Sequence, residues 1–170
     1  MNGPKTDDRV MLTGAPGSPY TRKMLAYLRY RRIPYEFLVQ GSPRLAGLPE
    51  PRVRLIPIFY LPDERGTVQA VTDSTPLIRR FEAEMPGRHT TPPEAALAFL
   101  DALIEDYADE WLTKAMFHYR WHYRADIDRS ASVLPRWRRI DAPEPAMQAA
   151  GQQFAERQIG RLGYVGSNET

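Results

Sequence analysis

The chain has 170 residues, 42% of them hydrophobic, a formal charge of +2 and no cysteine. That length buries one large core or two small ones, and the missing cysteines exclude a disulfide scaffold and any chemistry through a protein mixed disulfide. Positive charge is concentrated in the first half without a continuous basic footprint or a reading motif, which suits a small anion and excludes nucleic acid as a partner, and no run of about 18 apolar residues marks a membrane span.

Val10-Met11-Leu12-Thr13 predicts a first strand. The segment from Gly14 to Ser18 leads out of it, and Ser18 is placed to cap a helix to about residue 32, with Pro19 accepted at the first position because its missing N–H has no partner there anyway. Met24, Leu25, Tyr27 and Leu28 form the inner stripe, and Arg29, Arg31 and Arg32 read as a solvated C-terminus favoured by the helix dipole. A hydroxyl at a helix N-terminus is also a place to hold an anionic sulfur. With no cysteine in the chain, that sulfur must come from outside, and Ser18 would only orient or stabilise it.

Pro34 stops the helix, and residues 35–39 predict a second strand. Residues 41–54, rich in proline and glycine, predict an irregular loop with at most a short helix. Residues 55–61 read as a strand that Pro57 restricts to a start or an edge, in cis or trans form; a hairpin through Pro62 and Gly66 then returns into Val68 to Val71. Asp73 or Ser74 caps a helix to about Glu84, with Leu77, Ile78 and Phe81 inward.

The prolines and glycine between Met85 and Pro93 set a boundary, giving a flexible start over residues 1–7, a first domain over 8–86, a linker over 87–91 and a helical part over 92–170. From Glu94, Leu97, Leu100, Ile104, Tyr107 and Trp111 recur at spacings of three and four, as in a long amphipathic helix. Phe117, Tyr119, Trp121 and Tyr123 continue it, either as upper core or as the wall of a cleft. A last helix is expected from about Ala146 to Leu162, with Phe154, Ile159 and Leu162 as its apolar contacts.

Ser18-Pro19-Tyr20 at the first helix, Ile56-Pro57 before an apolar strand, Asp73-Ser74 at the next helix start and Pro92-Pro93 before a long helix occur in an order that resembles the glutathione transferase superfamily, serine type. The resemblance spans most of residues 10–170. It implies an α/β thioredoxin-like domain followed by an all-α domain of the glutathione transferase C-terminal kind. Family members generally continue through further helices, so the resemblance also implies that the helical domain is truncated at Thr170.

The same resemblance assigns roles. Ser18 would hydrogen-bond the glutathione sulfur and favour its thiolate, with Tyr20 as the rival activator; read alone, Ser18 is an ordinary helix cap. Ile56 would present its backbone to the cysteinyl portion, held by Pro57, which equally reads as a lock at the strand start. Asp73 and Ser74 would hold the γ-glutamyl ammonium and carboxylate, or simply cap their helix. Arg22, Lys23, Arg52 and Arg54 are candidates for the glycyl carboxylate.

Tyr107, Trp111, Phe117 and His118 are the candidates for an apolar acceptor pocket. His118 and His122 share a helix face, but two histidines without further ligands do not make a zinc site, so no metal is expected. The expected function is addition of the thiolate of glutathione, a cosubstrate, to a hydrophobic electrophilic small molecule by a cytoplasmic homodimer. The alternatives are a catalytically weak glutathione-binding regulator or scaffold, and a glutathione-dependent oxidoreductase or isomerase.

Overall fold

The computed structural model describes residues 9–137 and 141–168. It divides into two compact units, one ending at Thr91 and the other beginning at Pro92. The expected flexible start, residues 1–7, lies outside the described residues.

In the first unit β1 (Val10–Gly14), α1 (Pro19–Arg31), β2 (Tyr35–Val39), β3 (Ile58–Pro62), β4 (Val68–Val71) and α2 (Ser74–Glu84) follow in that order. The sheet runs β2-β1-β3-β4, with β1 parallel to β2 and antiparallel to β3, and β3 antiparallel to β4. A one-turn 3-10 segment, Pro43–Leu45, interrupts the loop after β2. The architecture is thioredoxin-like.

One hydrophobic cluster joins sheet and helices: Leu12 and Phe59 from the strands, Met24 and Leu28 from α1, and Leu77 and Phe81 from α2. Full burial of side chains of this size stabilises by about 1.5–3 kcal/mol each. Both helices therefore pack on the same face of the sheet. α1 starts where Ser18 Oγ accepts the Thr21 N–H at 3.3 Å, and it ends where Arg32 turns left-handed at φ 58°.

Arg31 corrects the expectation of a solvated basic helix end. Its side chain is 0% exposed and ion-paired with Glu82. The Arg31 guanidinium also donates to Tyr27 Oη at 2.8 Å and to the Phe81 and Met85 carbonyls. Glu82 in turn accepts from Tyr27 at 2.8 Å and from the Thr90 N–H and hydroxyl, with His89 Nδ1 at 2.9 Å. A buried guanidinium is tolerated only with such partners, so Glu82 ties α1, α2 and the segment at residues 89–90 together.

The second unit is helical: α3 (Ala95–Asp106), a π-helical turn (Tyr107–Leu112), α4 (Thr113–Trp121), α5 (Arg124–Val133) and α6 (Glu144–Ile159). Short 3-10 segments follow α5 at Leu134–Trp137 and α6 at Leu162–Val165. Helix α5 had no counterpart in the sequence pattern. Its packing explains why: Gly151 of α6 lies so close to α5 that a Cβ there would sit 2.5 Å from the Ala131 carbonyl oxygen, a contact made by small residues rather than an apolar stripe.

Trp121 is buried and packs edge-on against Phe154, with ring centroids 5.5 Å apart. Tyr119 and Tyr123 are exposed, so the aromatic run is core only at Trp121. The apolar stripe of the expected amphipathic helix, Leu97, Leu100, Ile104, Tyr107 and Trp111, is also exposed, Ile104 by 66% and Trp111 by 62%. Ile159, expected as a contact of the last helix, is exposed as well. Among the described residues no helix is long and apolar enough to cross a membrane.

Candidate functional site

Backbone register gathers three separate sequence features at one end of the sheet. The β1–β3 ladder ends with Thr13 opposite Ile58, and the β3–β4 ladder ends with Phe59 opposite Val71. Gly14 follows Thr13, Pro57 immediately precedes Ile58, and Asp73 lies two residues beyond Val71. The exit of β1, the entrance of β3 and the entrance of α2 are therefore neighbours, although more than forty residues separate the first from the second.

At the first corner, Gly14 closes the loop against α1. A Cβ at Gly14 would meet Thr21 Oγ1 at 2.6 Å, and Thr21 is fully buried, its hydroxyl accepting the Ala15 N–H at 3.4 Å. That contact fixes the approach to Ser18. The Ser18 hydroxyl uses one lone pair on the Thr21 N–H, and its proton remains for a donor role; capping and holding an anion use opposite ends of the same hydroxyl. Tyr20 lies next along α1 and is half-buried.

At the second corner, the Ile56–Pro57 peptide is cis and Pro57 is buried. Pro57 precedes β3 rather than lying inside it, so its missing N–H costs the ladder nothing. Ile56, half-buried, lies just outside the sheet.

The third corner corrects one expectation. Asp73 is at the N-cap position of α2, but its side chain makes no cap hydrogen bond, and its backbone has φ 81° and ψ 120°. An L-residue other than glycine rarely adopts such a conformation, which costs of order 1–3 kcal/mol and persists only where the surroundings enforce it. The carboxylate is exposed. Ser74, the first residue of α2, is buried at 4% exposure and accepts from Lys23 Nζ at 3.2 Å. No feature of the sequence pointed to this bond, which spans fifty-one residues between two helices.

Arg22, Arg52 and Arg54 are all exposed, and Arg54 pairs loosely with Glu50 at 3.5 Å. In the second unit, Tyr107 and Trp111 stand exposed on the π-helical turn, while Phe117 and His118 are half-buried on α4. His118 stacks on His122 with ring centroids 4.5 Å apart, and its Nδ1 lies 2.7 Å from Ser167 Oγ. Among the described residues, no group of three His, Cys, Asp or Glu side chains is arranged to hold a metal ion.

Residues 12–89 match the family model for the N-terminal domain of glutathione S-transferase, which supports a distant relationship to that superfamily in this part of the chain. No curated protein matches the sequence significantly. A glutathione S-transferase from Rhodospirillum rubrum is similar in fold, with a TM-score of 0.50 and 18% identity over 91% of this chain and 65% of that one. A maleylacetoacetate isomerase from Anaeromyxobacter dehalogenans, solved with glutathione in its active site, has a TM-score of 0.50 and 15% identity over 92% of this chain and 89% of that one.

A glutathione S-transferase from Methylobacterium radiotolerans, in complex with glutathione sulfonate, is matched at a TM-score of 0.49 and 17% identity over 90% of this chain. The chain spans 65% of the length of each of the two transferases. The coverage of the isomerase is larger, so the expected truncation of the helical part finds no support in these matches.

Proposed function

We propose that the first unit binds glutathione at the sheet end formed by Ser18, Ile56, Pro57, Asp73 and Ser74, and presents its thiolate to an electrophilic small molecule. The observation that carries this reading is the convergence, through strand register, of a helix-capping hydroxyl, a half-buried residue before a cis proline and an uncapped, strained Asp73. Ile56 can meet an extended tripeptide through its main chain. Asp73 supplies the anion for the ligand ammonium. The Ser18 proton meets the sulfur, and the hydrogen bond to the anion favours thiolate over thiol.

A free thiol of this kind has a pKa of about 8.5, so a shift of one to two units populates the nucleophile at neutral pH. Tyr107, Trp111, Phe117 and His118 are proposed to supply the apolar acceptor wall, and the active form is proposed to be a homodimer. The match to the isomerase in length and fold favours a second reading, in which the thiolate adds to a conjugated double bond, the adduct rotates and the thiolate leaves again.

Titration calorimetry with glutathione, followed by turnover on a panel of electrophiles and cis-olefinic acids, separates the readings. A transferase accumulates conjugate and consumes glutathione, an isomerase returns it, and a scaffold binds without turnover. Ser18→Ala is expected to keep binding while the bound thiol's pKa rises by at least one unit and the rate at neutral pH falls about tenfold. An unchanged pKa in Ser18→Ala with a raised one in Tyr20→Phe would transfer the role to Tyr20.

A further inference from the structure

The geometry points to an open two-histidine site for a divalent transition metal, copper(II) above all, at the C-terminal end of α4. It does not rest on the glutathione reading, and it departs from the expectation that this pair holds no metal. His118 lies in α4 and His122 is the residue that ends it, four positions on and so on the same face. Their rings stack with centroids 4.5 Å apart and planes 21° from parallel.

The two rings are prepared unequally. His118 is half-buried, and its Nδ1 lies 2.7 Å from Ser167 Oγ. With the ring proton on Nδ1 and donated to that hydroxyl, the lone pair of Nε2 is left as a ligand, the arrangement by which a neighbour orients a metal-binding histidine. His122 is exposed, and its ring neighbours are His118 and Tyr123. Stacked rings aim their lone pairs side by side rather than at one point, so His122 has to swing while Ser167 holds His118. The helix end adds the negative pole of its dipole, which favours a cation.

Imidazole nitrogen suits copper(II), nickel(II) and zinc(II), and of these copper binds most tightly to a given nitrogen site. Among the described residues no third His, Cys, Asp or Glu completes a cage, so water takes the other positions and the site is unlike a closed structural zinc site. The competing role for these rings is packing alone, since His118, Tyr119, His122 and Tyr123 also touch one another edge-on and face-on.

The test titrates copper(II), nickel(II) and zinc(II) chlorides into the full chain by equilibrium dialysis in a non-coordinating buffer, with electron paramagnetic resonance counting the nitrogen ligands of bound copper. One copper per chain with two nitrogen ligands is expected, held more tightly than nickel or zinc. Ser167→Ala should weaken copper binding about tenfold by releasing the His118 ring. His122→Phe keeps a ring to stack but has no ligand atom, so it should weaken binding further with the unfolding midpoint unchanged. Adding His118→Ala to it should cost little more, because a chelate is lost with its first arm. His89→Gln, which removes the chain's remaining histidine, should change nothing. Copper binding that survives His122→Phe, losses that simply add, or a loss in His89→Gln would mean an adventitious ion only and overturn the site.

Discussion

Asp73 combines strain with an idle side chain, and the two make separate predictions. Because its carboxylate caps nothing and its φ of 81° is one that glycine adopts freely, Asp73→Gly should leave the first unit as stable or raise its stability by up to about 1 kcal/mol. Glutathione affinity should fall in the same variant, and a chemical denaturation curve measured beside the titration checks both; a large loss of stability would return Asp73 to a structural role. Glu82 is the opposite case. Burial alone would raise its carboxyl, but hydrogen bonds from Tyr27, Thr90, His89 and Arg31 outweigh it and hold the group at about 2, against 4.5. The folded value is the lower one, so Glu82's contribution is present above about pH 4.5 and is lost as the pH falls towards 2. Denaturant midpoints of the first unit should drop through that window, and Glu82→Gln should flatten the profile while costing about 3 kcal/mol at neutral pH, because Arg31 is left buried without a counter-charge. Asp73 was named from the sequence as a cap or a ligand residue, but its strained backbone was not, and neither was the burial of Arg31 against Glu82. Arg31 sits in a sequence run of three arginines that reads as solvated, and only the packing of α1 against α2 turns that one position inward.

At the level of elements, the α5–α6 contact makes the sharpest prediction. Gly151→Ala removes backbone freedom, which alone would favour the helix by about 1 kcal/mol, but it drives a methyl into the Ala131 carbonyl. The clash should dominate, with a net loss of about 1–2 kcal/mol in the second unit by denaturant unfolding; a stabilised variant would mean that the two helices separate at no cost. The same contact marks the limit of what sequence pattern could deliver. Strands and helices of the first unit were legible because each carries its own signal: an apolar run, a capping serine, a breaking proline. Helix α5 carries few large apolar residues and packs through small ones, so periodicity had nothing to register. For the candidate site, the motifs were legible but their adjacency was not, since it depends on which strand pairs with which and in what register. The Lys23–Ser74 bond needed both helices in place before it could be seen.

For the whole molecule, the exposed stripe of α3 and its π-helical turn is the open question of assembly. Leu100, Ile104, Tyr107 and Trp111 present apolar surface to solvent, of the kind that marks association surfaces. If the proposed homodimer buries this stripe, sedimentation velocity should give a dimer that Ile104→Glu with Trp111→Glu converts to a folded monomer; a wild-type monomer at every concentration would refute the assembly. The chain's indole rings lead to a different kind of experiment. All three tryptophans, Trp111, Trp121 and Trp137, lie in the helical unit, one buried and the other two exposed, while the first unit has tyrosines and no tryptophan. The emission spectrum therefore belongs wholly to the second unit. Its blue edge comes from Trp121 and its iodide-quenchable red edge from Trp111 and Trp137, so light that excites indole alone can follow one half of the chain while the other half is being titrated with acid or ligand.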